Sequence, residues 1–190
     1  MIIGLGGFAT SGKDAVADLL IDRHGFRKTY MSKPLEAALL ALDPLVEIGS
    51  TAWPVRYSLV HRLEGYDESK KHPEVRRLLQ NLGTEVGRAL FGDNVWVDLA
   101  FAEVDRLREV ADVAITGIRY PNELQAVRDR GGLAVWVDRG LAPVNGHASD
   151  NTLGPDDFDL VLPNHGTLAE LAYTVDFLVD PDAATGRIAA

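Results

Sequence analysis

The strongest constraint on the fold lies at the start of the chain. Met1-Ile2-Ile3-Gly4-Leu5 is an apolar run of the kind that forms a buried parallel strand, and Gly6-Gly7 bounds it. Gly7-Phe8-Ala9-Thr10-Ser11-Gly12-Lys13-Asp14 follows with the G-x-x-x-x-G-K spacing of a phosphate-binding loop. Residues 14–23 then read as a helix, with Val16, Leu19 and Leu20 on one face and Gly25 just past its end. Strand, loop and helix in that order are the context such a loop needs. Its glycines let successive backbone N–H groups turn toward a phosphate, and the helix N-terminus adds a favourable dipole. Gly7, Thr10, Ser11, Gly12, Lys13, Asp14 and Ala15 are therefore candidate phosphate-binding residues. Lys13 would set an ammonium against the terminal phosphates and is the first candidate catalytic group. The motif usually ends in Ser or Thr, whose hydroxyl ligates Mg²⁺. Asp14 stands there instead, and either ligates the ion, directly or through water, or merely suits the first helical turn.

Gly4-Leu5-Gly6-Gly7-Phe8-Ala9 also matches the dinucleotide fingerprint G-x-G-x-x-A. That fold wants an acid at the end of the second strand, where Tyr30-Met31-Ser32-Lys33 offers none. It also leaves Gly12-Lys13 without a role, so the phosphate loop is the better reading.

The chain of 190 residues suits one domain with a modest insertion. A net charge of -9 disfavours bulk nucleic-acid binding, while local arginines can still line a positive cleft. No apolar run approaches the roughly 20 residues of a membrane span, and no basic leader precedes the first strand, so neither a membrane anchor nor a cleaved signal is expected. The absence of cysteine removes thiolate chemistry and disulfides and fits a reducing cytoplasm.

Strands are expected over 26–31, 112–116, 133–137 and 159–162, and helices over 33–42, 73–91, 94–110, 121–130 and 168–179, with Ser32 and Thr167 as caps. Strands alternating with helices imply an α/β fold, a parallel sheet covered on both faces. Residues 43–72 sustain no period and read as part of an inserted, mobile substrate-side segment. The turn signal Asn145-Gly146 falls in a polar loop over 138–153, and the tail after residue 180 reads as frayed.

On the helix over 73–91, Val75, Leu78, Leu79, Leu82, Val86 and Leu90 share an apolar face at 100° per residue. Beside it runs a stripe of Arg76, Gln80, Gly83, Thr84 and Gly87. Two interior glycines each cost a helix about 1 kcal/mol, so something approaches closely there. A phosphorylated small molecule and a packed neighbouring helix fit that stripe equally well. Arg88 lies farther from the core unless it folds inward. Thr116-Gly117-Ile118-Arg119-Tyr120-Pro121-Asn122-Glu123 leaves the third strand at the sheet's carboxyl edge, where ligands of open parallel sheets bind. Arg119 would then stand beside the phosphate loop, and Glu123 could orient it, accept from a substrate, or simply hold the loop. No acid ends this strand where a metal-binding carboxylate is expected.

These motifs together resemble the phage-type deoxynucleoside monophosphate kinases, relatives of the adenylate-kinase-like P-loop kinases. The similar stretches are Ser11-Gly12-Lys13-Asp14, Leu78-Leu79-Gln80-Asn81-Leu82-Gly83-Thr84-Glu85 with Arg88, and Asn94-Val95-Trp96-Val97. Arg119-Tyr120-Pro121-Asn122-Glu123, His147-Ala148-Ser149-Asp150 and Asn164-His165-Gly166-Thr167-Leu168 complete the ordered set. The resemblance implies a three-layer P-loop fold over 1–180 with five parallel strands in the order 2-3-1-4-5. It implies an inserted monophosphate-binding segment over 43–92 and a lid over 139–153. It implies ATP and Mg²⁺ as cofactors, a deoxynucleoside monophosphate as the partner, no nucleic acid or membrane, a cytoplasmic location (the host's, if phage-encoded), and an active homodimer. Arg76, Gln80, Gly83, Thr84, Arg88, Trp96, Arg119 and Glu123 would line the acceptor site, and Asn164, Gly166 and Thr167 would lie near the ATP base. Lys13 and Arg119 would act on the transferring group, and Asp14 on the metal. Gly117 departs from the Asp common in the family, and Asp150 from its Glu. Phosphomevalonate kinases of animal type share a similar Ser-Gly-Lys-Asp loop, so another phosphorylated acceptor, or a nucleotide sensor without catalysis, is the alternative.

Overall fold

A computed structural model of the chain describes residues 1–49, 52–141 and 152–180. The strands in chain order are β1 (Ile2–Gly6), β2 (Arg27–Tyr30), β3 (Leu45–Val46), β4 (Val55–Arg56), β5 (Val113–Ile118), β6 (Leu133–Asp138) and β7 (Leu160–Pro163). The α-helices are α1 (Lys13–His24), α2 (Lys33–Leu42), α3 (Tyr57–Ser69), α4 (Pro73–Gln80), α5 (Val95–Arg108), α6 (Pro121–Asp129) and α7 (Leu168–Val179). A π-helical stretch, Asn81–Phe91, continues α4. The chain packs as two units, Ser32–Ala100 forming one and Met1–Met31 with the chain from Phe101 onward forming the other.

The discontinuous unit is built on a five-stranded sheet in the order β2-β5-β1-β6-β7, every neighbouring pair parallel. Counted within this sheet alone the order is 2-3-1-4-5, because β3 and β4 form a separate ribbon. β1 is buried along its whole length and β5 nearly so, as their apolar runs require when both sheet faces are covered. Alternate residues point to opposite faces. Ile3 and Leu5 pack with Val16 and Leu20 of α1 and Val175 of α7. Gly4 faces the other way, where Val127 of α6 packs against the strand. Asp176 ties α7 to α1, its carboxylate taking Arg23 on both oxygens and His24 Nε2 at 2.9 Å. Thr167 caps α7 as expected, its Oγ1 accepting from the Glu170 N–H at 3.3 Å.

The unit Ser32–Ala100 has its own core of Leu39, Val46, Tyr57, Val60, Val75 and Leu79. The region expected to be without regular structure carries the antiparallel β3-β4 pair and all of α3. Its helical period is hidden by a break at Gly65, where φ is 79°. Ser32, expected to cap α2, makes no side-chain capping bond. The helix over 73–91 exists, but its winding changes at Asn81. A π turn bonds i to i+5 and rotates each residue through less than 100°, so the apolar face drifts. Val75 and Leu79 are buried as expected, whereas Val86 and Leu90, placed on the same face, are 38% and 71% exposed. Among the described residues no helix is long and apolar enough to cross a membrane.

Candidate active site

The loop after β1 has the backbone that the motif implies. Gly7, Thr10 and Gly12 take φ of 138°, 63° and 97°, so positive-φ residues are interspersed among the others of the loop. Such a mixture of backbone conformations lets successive N–H groups turn toward one side, an arrangement that suits a phosphate. The Ser11 N–H closes a turn on the Phe8 carbonyl at 3.1 Å, and Gly12 forms the N-cap of α1. Lys13 Nζ folds back over the loop to the Phe8 carbonyl at 3.1 Å. The Ser11 hydroxyl is buried beneath the loop, without a hydrogen-bond partner. A Cβ on Gly7 would fall 2.6 Å from it and 2.6 Å from the Val137 carbonyl oxygen, so the space beside Gly7 is already filled.

The loop also makes an aromatic contact that the sequence did not reveal. Phe8 meets Trp136 edge-on with ring centres 5.0 Å apart, and Trp136 meets Phe158 at 5.3 Å. Trp136 reads as an ordinary core residue of an apolar strand, and nothing in the sequence pairs it with Phe8.

Arg119 follows β5, the neighbour of β1 in the sheet. Lys13 and Arg119 line one small cleft together with Gly7, Phe8, Ile118 and Trp136. Glu123 is buried, and its Oε2 accepts the Arg119 N–H at 2.7 Å and the Tyr120 N–H at 3.2 Å. It therefore caps α6 and fixes the path of the loop that presents Arg119. Gly117 sits where the β5 register slips against β1, with φ of 85°. That conformation favours glycine over aspartate, which accounts for the missing carboxylate.

Asp14 is ion-paired: Lys28 Nζ lies 3.0 Å from its Oδ1 and 3.0 Å from Oδ1 of Asp18, one helical turn on. Burial works to lower the Lys28 pKa, but the two carboxylates outweigh it and raise it. Among the described residues no three His, Cys, Asp or Glu side chains are gathered into a metal cage. One carboxylate at the head of α1 nevertheless suits Mg²⁺, which commonly takes one or two carboxylates and completes its shell with water and substrate phosphate.

Asn164 is buried, and its Nδ2 donates to the Ser11 carbonyl at 2.8 Å. His165 Nε2 stands 3.4 Å from Oδ2 of Asp138 at the end of β6. Gly166 and Thr167 form the entry to α7, where Glu170 accepts the Thr167 N–H at 2.7 Å. That bond and one to the Thr167 hydroxyl hold the Glu170 carboxyl below its usual range, against a smaller upward push from burial.

In the unit Ser32–Ala100, Arg76, Gln80 and Thr84, spaced by four, are all exposed, and Arg88 is half-buried. The close approach that the glycine stripe implied comes from Trp96. A Cβ on Gly87 would fall 2.3 Å from the indole Nε1, which donates to the Gly83 carbonyl at 2.9 Å. Gly83 itself is met by Leu35 at 3.4 Å. Tyr57 is fully buried in the core, while Trp53 is 80% exposed. Burial, helped by Glu36, pushes the Tyr66 hydroxyl up to about 12 despite a hydrogen bond with Ser32. Residues 142–151 of the expected lid, with Asn145-Gly146 and the motif at His147, and the tail 181–190 lie outside the described residues.

A parallel sheet in this order, with a phosphate loop leaving its central strand, defines the class of P-loop nucleotide-binding folds. More narrowly, the chain belongs to the deoxynucleotide monophosphate kinase family, whose sequence profile matches residues 53–175. It is 30% identical over 200 residues to a protein of Acanthamoeba polyphaga mimivirus named for that activity, covering 95% of this chain and 96% of the relative. It is 34% identical over 100 residues to the deoxynucleotide monophosphate kinase of Escherichia phage RB69, covering 51% of this chain and 41% of that one. Among solved structures, shikimate kinase from Aquifex aeolicus aligns over 96% of this chain and 98% of its own with 13% identity and a TM-score of 0.46.

Proposed function

We propose that this protein transfers the γ-phosphoryl group of ATP to the 5′-phosphate of a deoxynucleoside monophosphate, giving the diphosphate. Family membership supports the reaction. The observation that carries the site is the pairing of Lys13 and Arg119 on one cleft beside the loop. Residues 7–15 take the donor phosphates through the N–H groups of the loop and the first turn of α1. Lys13 leaves the Phe8 carbonyl for the terminal phosphates, and Arg119 neutralises charge on the transferring group. Glu123 acts indirectly, by holding the backbone that carries Arg119. An acceptor phosphate is already ionised near neutrality, so no strong general base is needed, and positioning with charge neutralisation does the work. Mg²⁺ bound with the donor, with Asp14 as its protein-side carboxylate, would supply further charge neutralisation at the phosphates. Arg76, Gln80, Thr84 and Arg88 are the groups we assign to the acceptor, with Arg76 on its phosphate. Gly83 and Trp96 support that surface through the indole bond.

The test is a coupled assay with ATP, Mg²⁺ and a panel of deoxynucleoside and nucleoside monophosphates. Turnover with at least one deoxynucleotide is expected, and Lys13→Ala should abolish it while leaving the far-ultraviolet spectrum unchanged. A well-folded wild-type protein that turns over none of them would overturn the assignment.

A further inference from the structure

Asn164 leaves β7 at the carboxyl edge of the sheet, and its backbone and side chain are both engaged. Its N–H donates to the Asp138 carbonyl at 2.6 Å, which fixes it to the end of β6. Its side-chain Nδ2 donates to the Ser11 carbonyl at 2.8 Å, although 153 positions separate the two residues. It is 9% exposed, so this bond is shielded from water. Gly12 makes room for it: a Cβ there would stand 2.3 Å from Nδ2. The backbone of Gly12 also needs glycine, with φ of 97°. Conformation and close approach thus select the same residue for separate reasons.

The Ser11 carbonyl belongs to the peptide unit that carries the Gly12 N–H. In a trans peptide these two groups point in opposite directions. A donor that pins the carbonyl on one side therefore aims the Gly12 N–H to the other, and fixes the turn from which α1 starts. We propose that Asn164 is a positioning residue for the phosphate loop: it clamps the Ser11–Gly12 peptide so that the loop's N–H groups stay preorganised for the donor phosphates. This rests on the phosphate-loop reading and differs from a contact with the donor base, since it uses the amide N–H that Asn164 gives to the Ser11 carbonyl within the fold.

The two roles separate experimentally. Asn164→Leu keeps the size and removes the donor. Binding of ATP, GTP and inorganic tripolyphosphate to wild type and variant would be measured by calorimetry, alongside kcat and KM for ATP and for the monophosphate. A clamp predicts that all three affinities fall together, by about five- to tenfold for one shielded hydrogen bond, with the monophosphate KM unchanged. A base contact predicts loss for ATP alone and full retention of tripolyphosphate, which would overturn the proposal. Unchanged affinities for all three would overturn it too. Should the Leu variant not melt cooperatively, Asn164→Ala, which removes the amide donor without adding charge beside the phosphates, takes its place with the same expectation. If wild type itself binds neither ATP nor tripolyphosphate, the phosphate-loop reading fails and the clamp with it. Wild-type binding together with an indifferent variant rejects the clamp alone.

Discussion

Gly117 shows how one backbone angle decides what chemistry a strand end can offer. Its φ of 85° lies at the register slip between β5 and β1, and the space around its Cβ is nearly open, with Met31 4.0 Å away. The obstacle to an acid there is therefore conformational rather than steric. Gly117→Asp, which restores the family's common residue, should cost about 1–2 kcal/mol of stability, read from denaturant unfolding. A variant as stable as wild type would show that the strand relaxes around the new side chain. At this scale the motif residues were fully legible: Gly7, Gly12 and Lys13 announce themselves by spacing. Asn164 was legible only as a member of a motif. That its amide reaches the phosphate loop depends on β7 lying two strands from β1, with β6 between, which local sequence does not state. Glu123 was ambiguous for a similar reason, since an acid one turn into a helix caps as readily as it binds, and here it caps.

Among the elements, the inner strands β1, β5 and β6 were the easiest to read, because burial on both faces turns each into an apolar run bounded by turn residues, whereas the edge strand β2 is Arg-Lys-Thr-Tyr and only partly buried. The helical unit was harder. α3 hides behind the break at Gly65, and the apolar stripe of α4 loses its phase where the π winding begins. The Trp96 indole, pressed on Gly87 and bonded to the Gly83 carbonyl, is a side chain inserted beside the helical ladder, a recognised source of such distortion. Trp96→Phe keeps an aromatic side chain, though a smaller one, and deletes the N–H. It should cost about 1 kcal/mol, and circular dichroism with a chemical melt would show whether the distorted stretch changes with it. The contact between α1 and α7 makes a pH-dependent prediction. The bond from Arg23, aided by one from His24, holds the Asp176 carboxyl below its usual range despite some desolvation. A depressed carboxyl contributes stability above its unfolded pKa of about 3.9, and that contribution is lost as pH falls through the lower folded value. Asp176→Asn should therefore melt slightly below wild type at neutral pH, and the gap should close as pH drops below about 4. A gap that persists undiminished in acid would mean that packing, not charge, is what the substitution removes.

On the scale of the whole molecule, the phosphate loop couples ligand to fold. It joins β1 to α1, whose Val16 and Leu20 belong to the same core as Ile3, Val135 and Val175. A ligand that binds only the native loop must therefore raise the stability of everything that core holds together. For ATP with Mg²⁺ at a hundred times its dissociation constant, the gain is about 2.7 kcal/mol, provided the unfolded chain has no affinity for it. Leu20→Ala empties a fully buried position in that core and should cost about 2–5 kcal/mol. The two effects act on one equilibrium at separate places, so they should add: saturating ATP should return much of what Leu20→Ala removes, with the affinity for ATP nearly unchanged. Lys13→Ala should behave in the opposite way, leaving the ligand-free melting temperature close to wild type while erasing most of the ATP-dependent rise. Thermal scans of wild type and both variants, with and without nucleotide, measure all of this in one series. If ATP stabilised the Lys13→Ala protein as strongly as wild type, the nucleotide would be binding somewhere other than the loop on which the fold is centred.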